Sequence, residues 1–534
     1  MGIRSFLGLL TSQLFSYPEI ALMFICFFLL RRMIVVPKRS AAIESWPIVG
    51  MLPSMLSNTH RIHDWSTEVL QKSGGTVFFE GPWLAGMDLL ATADPANVSY
   101  VTCTARAADY PKGRDYADMF DILGDGILNA DGDSWRVQRK WAHLLVRQMR
   151  FRRHVERTGR DKVEHGLLPV LDRVAAERRT VDLQDLMQRF TFDATCIFVC
   201  GVDPGCLSAE SSPVPFANAV DDAKEVIHLR HTVPKTWWKI LRWLRVGNER
   251  TMAEATRVAD QCIAEFISAK RKQLLDDSAE KKENKNNQNV DQRDEVDLLT
   301  SYMDCEADEE MERMKLKSDK FLRDVILNML VAGRDTTSAA LTWFFWELSR
   351  NPQMEANILD ELRTKLPADP RETKFRVFSA EELNGLVYLH AALSECLRLY
   401  PPVPIIHKCA TADDTFPSGH RIRPGLKIYY CLYAMARMES VWGKDCKEFK
   451  PERWISEEGR LRTDHSDKFF TFNAGPRSCL GKGVSFTQMK MVAASVLYNF
   501  HVQVLEDQIV CPKISVILHT ENGLKVKMIR RRWV

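Results

Sequence analysis

Cys479 lies in a loop with Phe472, Gly475, Arg477 and Gly481 around it, a combination that asks for more than packing. Glycines let backbone come close to something flat and wide. An apolar helical pattern at 484–497 follows, and the free N–H groups at its start would favour a thiolate over a thiol. A phosphate loop does not fit, because five residues separate Gly475 from Gly481 and Gly483 follows Lys482. A buried structural cysteine would need neither the glycines nor the arginine. A second group is Ala332-Gly333-Arg334-Asp335-Thr336-Thr337, set inside the run 321–348, which is otherwise apolar nearly all round. An acid and two alcohols are costly there unless paired or used. The plain account is that the threonines bond back to carbonyls four residues earlier and the acid pairs with a distant arginine.

These residues need a frame to hold them. The run 321–348 predicts a buried helix, on the order of 40 Å long at 1.5 Å per residue. Apolar spacing of three and four predicts further helices over 162–176, 258–270 and 383–399. Strand-like runs are short, and 514–519 and 524–529 around Glu521-Asn522-Gly523 predict a hairpin. The expectation is a mainly α fold with small β-sheets and no internal repeat. The span 276–297 offers almost nothing apolar and reads as an exposed loop within one domain.

With 534 residues, 45% apolar, the chain can fill a large core, and 73 basic against 70 acidic residues leave a net charge of +3, which implies no nucleic-acid partner. Its 13 cysteines contain no CxxC pair, which fits a reducing compartment. Between residues 6 and 30 the only charge is Glu19. Arg31, Arg32, Lys38 and Arg39 follow the run whereas Arg4 alone precedes it, so 1–36 reads as a single-pass anchor with the remainder facing the cytosol. A cleaved signal peptide is the rival, but no A-x-A-like site follows. A proline-containing hinge occupies 37–59 and the catalytic domain 60–534. The sequon Asn97-Val98-Ser99 would then face the cytosol and stay unglycosylated.

The loop Phe472, Gly475, Arg477, Cys479, Gly481 resembles the haem-binding FxxGxRxCxG of the cytochrome P-450 monooxygenases. Further motifs occur in that family's order: Trp135 to Arg139 as WxxxR, 332–337, Glu395 to Arg398 as ExxR, and the PERF-like segment containing Arg453 and Trp454. The resemblance runs from the hinge to the end of the chain, and the anchor matches microsomal members in the endoplasmic reticulum membrane. It implies that haem b is held by Cys479 as axial thiolate, with Phe472 and Gly475 in its loop. Arg477, Trp135, Arg139 and, more weakly, His407 and Lys408 would meet the haem propionates. Glu395, Arg398 and Arg453 would form a structural network. Asp335 and Thr336 would be the catalytic acid and alcohol relaying protons for oxygen activation, with Gly333 letting the helix bulge.

The resemblance further implies O2 as co-substrate and electrons from NADPH through NADPH-cytochrome P-450 reductase. The basic run Arg147, Arg150, Arg152 and Arg153 would steer that reductase. Stretches 109–113, 124–131 and 434–438 look most like the plant fatty-acid omega-hydroxylases and their midchain alkane hydroxylase branch, which also includes enzymes of alkaloid synthesis. Val403, Ile405, Ile406 and Ile517 would line an apolar pocket for a fatty acid, an alkane or a derived alcohol, in lipid or cuticular-wax metabolism. The same walls would suit an alkaloid, sterol or terpene. A haem-thiolate isomerase or dehydratase, or a haem protein that only binds ligands, stands further off. Trp237, Trp238 and Trp243 read as a membrane-interface cluster or as core, and Cys196 and Cys200 as core.

Overall fold

The computed structural model describes residues 43–531 except 104, 208–214, 284–295, 305–317, 367–373, 463–464 and 466, with the backbone alone over 277–283, and also Leu22, Met23, Cys26 and Phe27. The anchor read at 1–36 lies almost wholly outside the described residues, among which no helix is long and apolar enough to cross a membrane.

Helices dominate. Those that build the site are α1 (Gly132–Arg147), α2 (Leu183–Cys200), α3 (Pro215–Thr232), α4 (Lys235–Leu244), α5 (Asn248–Glu283), α6 (Asp319–Arg350), α7 (Val387–Leu399) and α8 (Lys482–Asn499). The strands are β1 (Thr76–Phe79), β2 (Leu89–Thr92), β3 (Thr180–Asp182), β4 (Ile405–Cys409), β5 (Asp414–Thr415), β6 (Arg421–Ile422), β7 (Lys427–Cys431), β8 (Phe500–Val504) and β9 (Lys525–Arg530). They form sheets ordered β1-β2-β7-β4, β3-β9-β8 and β5-β6. β2 and β7 run parallel, while the other pairs are antiparallel.

The long buried helix forms as expected and slightly exceeds its predicted bounds. Ser318 caps α6 by accepting from the N–H of Phe321, and Pro352 starts a new helix just beyond its end. Its two halves belong to different cores. Leu322, Val325, Ile326, Leu327 and Leu330 pack with α2, α3 and α5, whereas Leu341, Trp343, Phe344, Phe345 and Leu348 pack with α7 and α8. The polar stretch 332–337 falls at the seam between them.

Three expectations are corrected. Residues 514–519 and 524–529 make no hairpin: β9 pairs with β3 and β8, because Gly523 at φ +73° turns the chain against the carboxylate of Asp182, which a Cβ would strike at 1.9 Å. The span 276–297 is not all exposed loop, since α5 continues to Glu283 and Asp297 is buried against Lys270 at 2.9 Å. The end of the hinge belongs to the globule, where Met51 is buried and its N–H donates to Glu80. The sequon carries a different lesson. Asn97 is fully buried and donates to Thr76, Thr92 and Ser418, so the folded protein withholds it from glycosylation on either side of a membrane.

Candidate active site

The cysteine loop is shaped by the chain itself. The N–H of Cys479 donates to the carbonyl of Phe472 at 2.7 Å, closing the loop, and Asn473 and Gly475 take positive φ to turn it. A Cβ on Gly475 would sit 1.8 Å from the carbonyl oxygen of Thr102, so this glycine is required by protein backbone. Gly481 meets only open space. Phe472 packs on Phe486 of α8, fixing the loop to the helix behind it. Cys479 opens onto a cavity. Burial pushes its thiol up from the ordinary value, while the N–H groups of Gly481 and Lys482 and the charge of Arg139 pull the other way.

Beneath this loop, Glu395 and Arg398 on α7 pair in a fork at 2.8 Å through both oxygens. Arg453 and the N–H of Lys450 donate to Glu395 at 3.3 and 3.1 Å, and the indole of Trp454 at 2.8 Å. Arg398 also donates to the carbonyl of Cys446. Thr471, at the start of the cysteine loop, donates to the carbonyl of Leu397, which joins the network to the loop.

A cavity of about 630 Å³ lies between the loop and α6. Trp135 and Arg139, one turn apart on α1, line it with Arg477, whose guanidinium stacks 4.2 Å over the Trp135 ring and donates to Asp131 and the carbonyl of Ala130. Val403, Ile405, Ile406 and Ile517 all reach it. Tyr116, His231 and Tyr429 line the cavity too and no motif in the sequence marks them, while Lys112 and Asp131 fall in the stretches 109–113 and 124–131 without a role assigned there.

The pleat of β4 separates His407 from Lys408. His407 pairs with Tyr429 across β7 and lines the cavity beside it, whereas Lys408 pairs with the core residue Ile428 on the opposite face. The ammonium of Lys408 is pulled down to about 8 by burial and by the charge of Arg477.

On α6 the residues Asn328, Ala332, Thr336 and Ala340, each four apart, face the cavity. Thr336 donates to the carbonyl of Ala332 at 2.8 Å. Asp335, one residue earlier, is wholly buried and absent from the cavity wall. Its carboxylate lies 3.0 Å from Lys224, 3.3 Å from Arg334 and 3.7 Å from His519, and the two cations hold it well below the usual carboxylate range against the cost of burial. Arg334 in turn grips the half-exposed Asp221 in a fork at 2.8 and 3.1 Å. The acid and the alcohol therefore do not face each other. Lys224 links Asp335 to the cavity, since it touches the carboxylate and also lines the wall. α6 stays helical through Gly333, where a Cβ would lie 2.8 Å from Thr195, so the glycine serves close packing of α2 on α6.

The aromatic cluster divides. Trp238 is buried under Arg230, while Trp237 and Trp243 are exposed. Cys196 and Cys200 are core.

A model of the family described as Cytochrome P450 matches residues 42–528. The chain belongs to this family. This cytochrome P450 is 41% identical over 509 residues to "Alkane hydroxylase MAH1" of Arabidopsis thaliana, covering 95% of this chain and 97% of that one. It is equally similar, 41% over 524 residues and 96% and 97% of the two chains, to "Noroxomaritidine synthase 2" of Narcissus aff. pseudonarcissus MK-2014. "Cytochrome P450 86B1" of Arabidopsis thaliana is 40% identical over 502 residues, 92% of this chain and 87% of that one. The family is one of haem-dependent oxidoreductases that use O2, and the residues present fit haem. Cys479 offers a sulfur to the cavity, and Arg477, Arg139 and Lys112 bring basic groups to its wall with Asp131 as the near carboxylate of Arg477. That excess of positive charge is suited to a group bearing two carboxylates.

Proposed function

We propose that this cytochrome P450 inserts one oxygen atom of O2 into a C–H bond of a long-chain aliphatic substrate, a fatty acid, alkane or derived alcohol, with electrons from NADPH passed through NADPH-cytochrome P450 reductase. The observation that carries the reading is the large cavity between Cys479 and α6, walled by Val403, Ile405, Ile517, Phe120, Leu123 and Ile227. An alkyl chain entering such walls gains roughly 0.8 kcal/mol per buried CH₂.

Haem bound at Cys479 supplies oxygen activation, which electron donation from the thiolate favours. Arg477, Arg139 and Trp135 would hold the propionates, with Phe472 and Gly475 shaping the loop. Thr336 presents its hydroxyl to the cavity and takes water there. Asp335 stays charged and keeps Lys224 and Arg334 in place, and Lys224, which touches the half-exposed Asp221 and lines the cavity, can give a proton to the cavity and take one back from outside through Asp221.

Residues 1–36 anchor the protein in the endoplasmic reticulum membrane with the catalytic domain toward the cytosol. Two exposed apolar groups support a bilayer contact: Trp237, Ile240, Trp243 and Leu244 on α4, and Trp46, Ile48, Trp83 and Leu84. Arg147, Arg150, Arg152 and Arg153 are all exposed and form the reductase-facing patch.

The test is the carbon monoxide difference spectrum of the reduced, membrane-expressed protein beside Cys479→Ser, followed by assays with reductase, NADPH, long-chain fatty acids and alkanes. The thiolate-haem band and oxygenated aliphatic products are expected, both absent in Cys479→Ser. Turnover without NADPH would replace the reading with an isomerase or dehydratase. The equal similarity to the Narcissus enzymes favours a second reading, the same chemistry on an alkaloid or other specialised metabolite. Products from such a panel and none from aliphatic chains would select it.

A further inference from the structure

One wall of the cavity departs from its apolar character. The rings of Tyr116 and His407 lie 5.5 Å apart, those of His407 and Tyr429 5.0 Å, and those of Tyr429 and His231 6.4 Å, and all four line the cavity. Phe120 backs this belt at both ends, stacked 4.3 Å from Tyr116 and edge-on 5.9 Å from His231.

The belt carries hydrogen-bonding capacity that the protein does not use. His407 is 5% exposed and neither ring nitrogen has a hydrogen-bond partner among the described residues. Burial keeps the ring uncharged, so it holds one N–H donor and one acceptor. The Nδ1 of His231 sits 2.8 Å from the carbonyl of Ile227, which can only accept, so Nδ1 carries the proton and Nε2 is an acceptor. Tyr116 accepts from Lys112 at 3.3 Å and keeps its own O–H to donate. Buried polar atoms of this kind are normally satisfied, and the belt as a whole offers donors and acceptors side by side, from His407, the Nε2 of His231 and the O–H of Tyr116, a set met by a hydroxyl, which both donates and accepts.

We propose that Tyr116, His407, Tyr429 and His231 form a specificity site for a hydroxyl borne by the aliphatic substrate, away from the carbon that is oxidised. The inference rests on the aliphatic reading above and narrows it. The enzyme takes a chain already carrying an alcohol in preference to the bare alkane, and a reaction that hydroxylates the chain must supply its substrate. A site built to hydrogen-bond a substrate rejects the analogue lacking that group far more strongly than an apolar pocket rejects a missing methylene.

The test is a spectral binding titration of the haem-loaded, full-length protein with hexadecane, a midchain hexadecanol and hexadecanoic acid, repeated with His407→Phe and His407→Gln. The expected result is binding of the alcohol at least about tenfold tighter than the alkane. His407→Phe brings that ratio close to one, His407→Gln restores part of it, and both variants load haem as the parent does. Equal binding of alcohol and alkane by the parent protein, or an unchanged ratio in His407→Phe, overturns the inference and leaves the aliphatic reading standing. Binding of none of the three overturns both. Loss of haem from both variants would assign His407 to the cofactor and overturn the inference.

Discussion

Glu395 and Asp335 are both wholly buried carboxylates on helices that adjoin the active site, and they are treated in opposite ways. Glu395 accepts five hydrogen bonds from Arg398, Arg453, Lys450 and Trp454. Asp335 is held by charge at 3.0 and 3.3 Å, with no directed hydrogen bond to either oxygen among the described residues, and His519 stands 3.7 Å away. The first arrangement is closed and can only hold a shape. The second is stabilised without being locked, and Asp221 continues it to half-exposed positions. Among the described residues buried polar atoms without a partner occur on both sides, at Trp442, Gln488 and Ser495 on the cysteine side and at His63, His407 and Asp335 on the cavity side, so the contrast lies in the two carboxylates themselves.

That contrast can be broken most sharply at Glu395. Glu395→Gln leaves the buried Arg398 without its charge partner and Arg453 with Asp445 alone, and is expected to cost about 5 kcal/mol, enough to abolish folded, haem-loaded protein on expression. Asp335→Asn should be milder, about 3 kcal/mol by denaturant melt, because the half-exposed Asp221 still pairs with Lys224 and Arg334. Product per NADPH should fall with it. As the folded carboxylate titrates below its unfolded value, its contribution is present above about pH 4 and lost as pH falls further, so the variant should show a flatter acid limb.

Gly333→Ala tests close approach rather than charge. Overpacking against Thr195 should cost about 2 kcal/mol, and Thr195→Ala in the same chain should recover most of it in the same melt. The smallest effect concerns Lys490 on α8, whose ammonium donates to two carbonyls but is drawn down from 10.5 to about 8 by burial. The unfolded chain binds more protons between those values, so this group makes stability rise with pH across that window. Lys490→Met should gain about 1 kcal/mol at neutral pH and flatten that rise relative to the parent.

The cysteine loop and Glu395–Arg398 were legible in the sequence because each is a local pattern whose geometry follows from spacing on one helix or turn. The long helix was legible from its apolar surround. Which way its polar residues face was less so: neighbours on a helix point about 100° apart, which separates Thr336 from Asp335 despite their adjacency. On β4 the same adjacency hides an opposition, since the two-residue pleat sends His407 and Lys408 to different faces. The pairing of Asp131 with Arg477 could not be found by pattern, because the two meet from 346 positions apart. The expected hairpin failed because its second strand had better partners elsewhere, in β3 and β8.

The parallel pairing of β2 with β7 bears on how the protein is made. Residues 89–92 leave the ribosome long before their partners at 427–430, and Asn97 must wait as long for Ser418. At about 5–20 residues per second that interval lasts tens of seconds. During it, the antiparallel pair of β1 and β2 has an open edge with no strand to cover it. A chaperone that shields strand edges should therefore raise the yield of this enzyme more than one that acts after release.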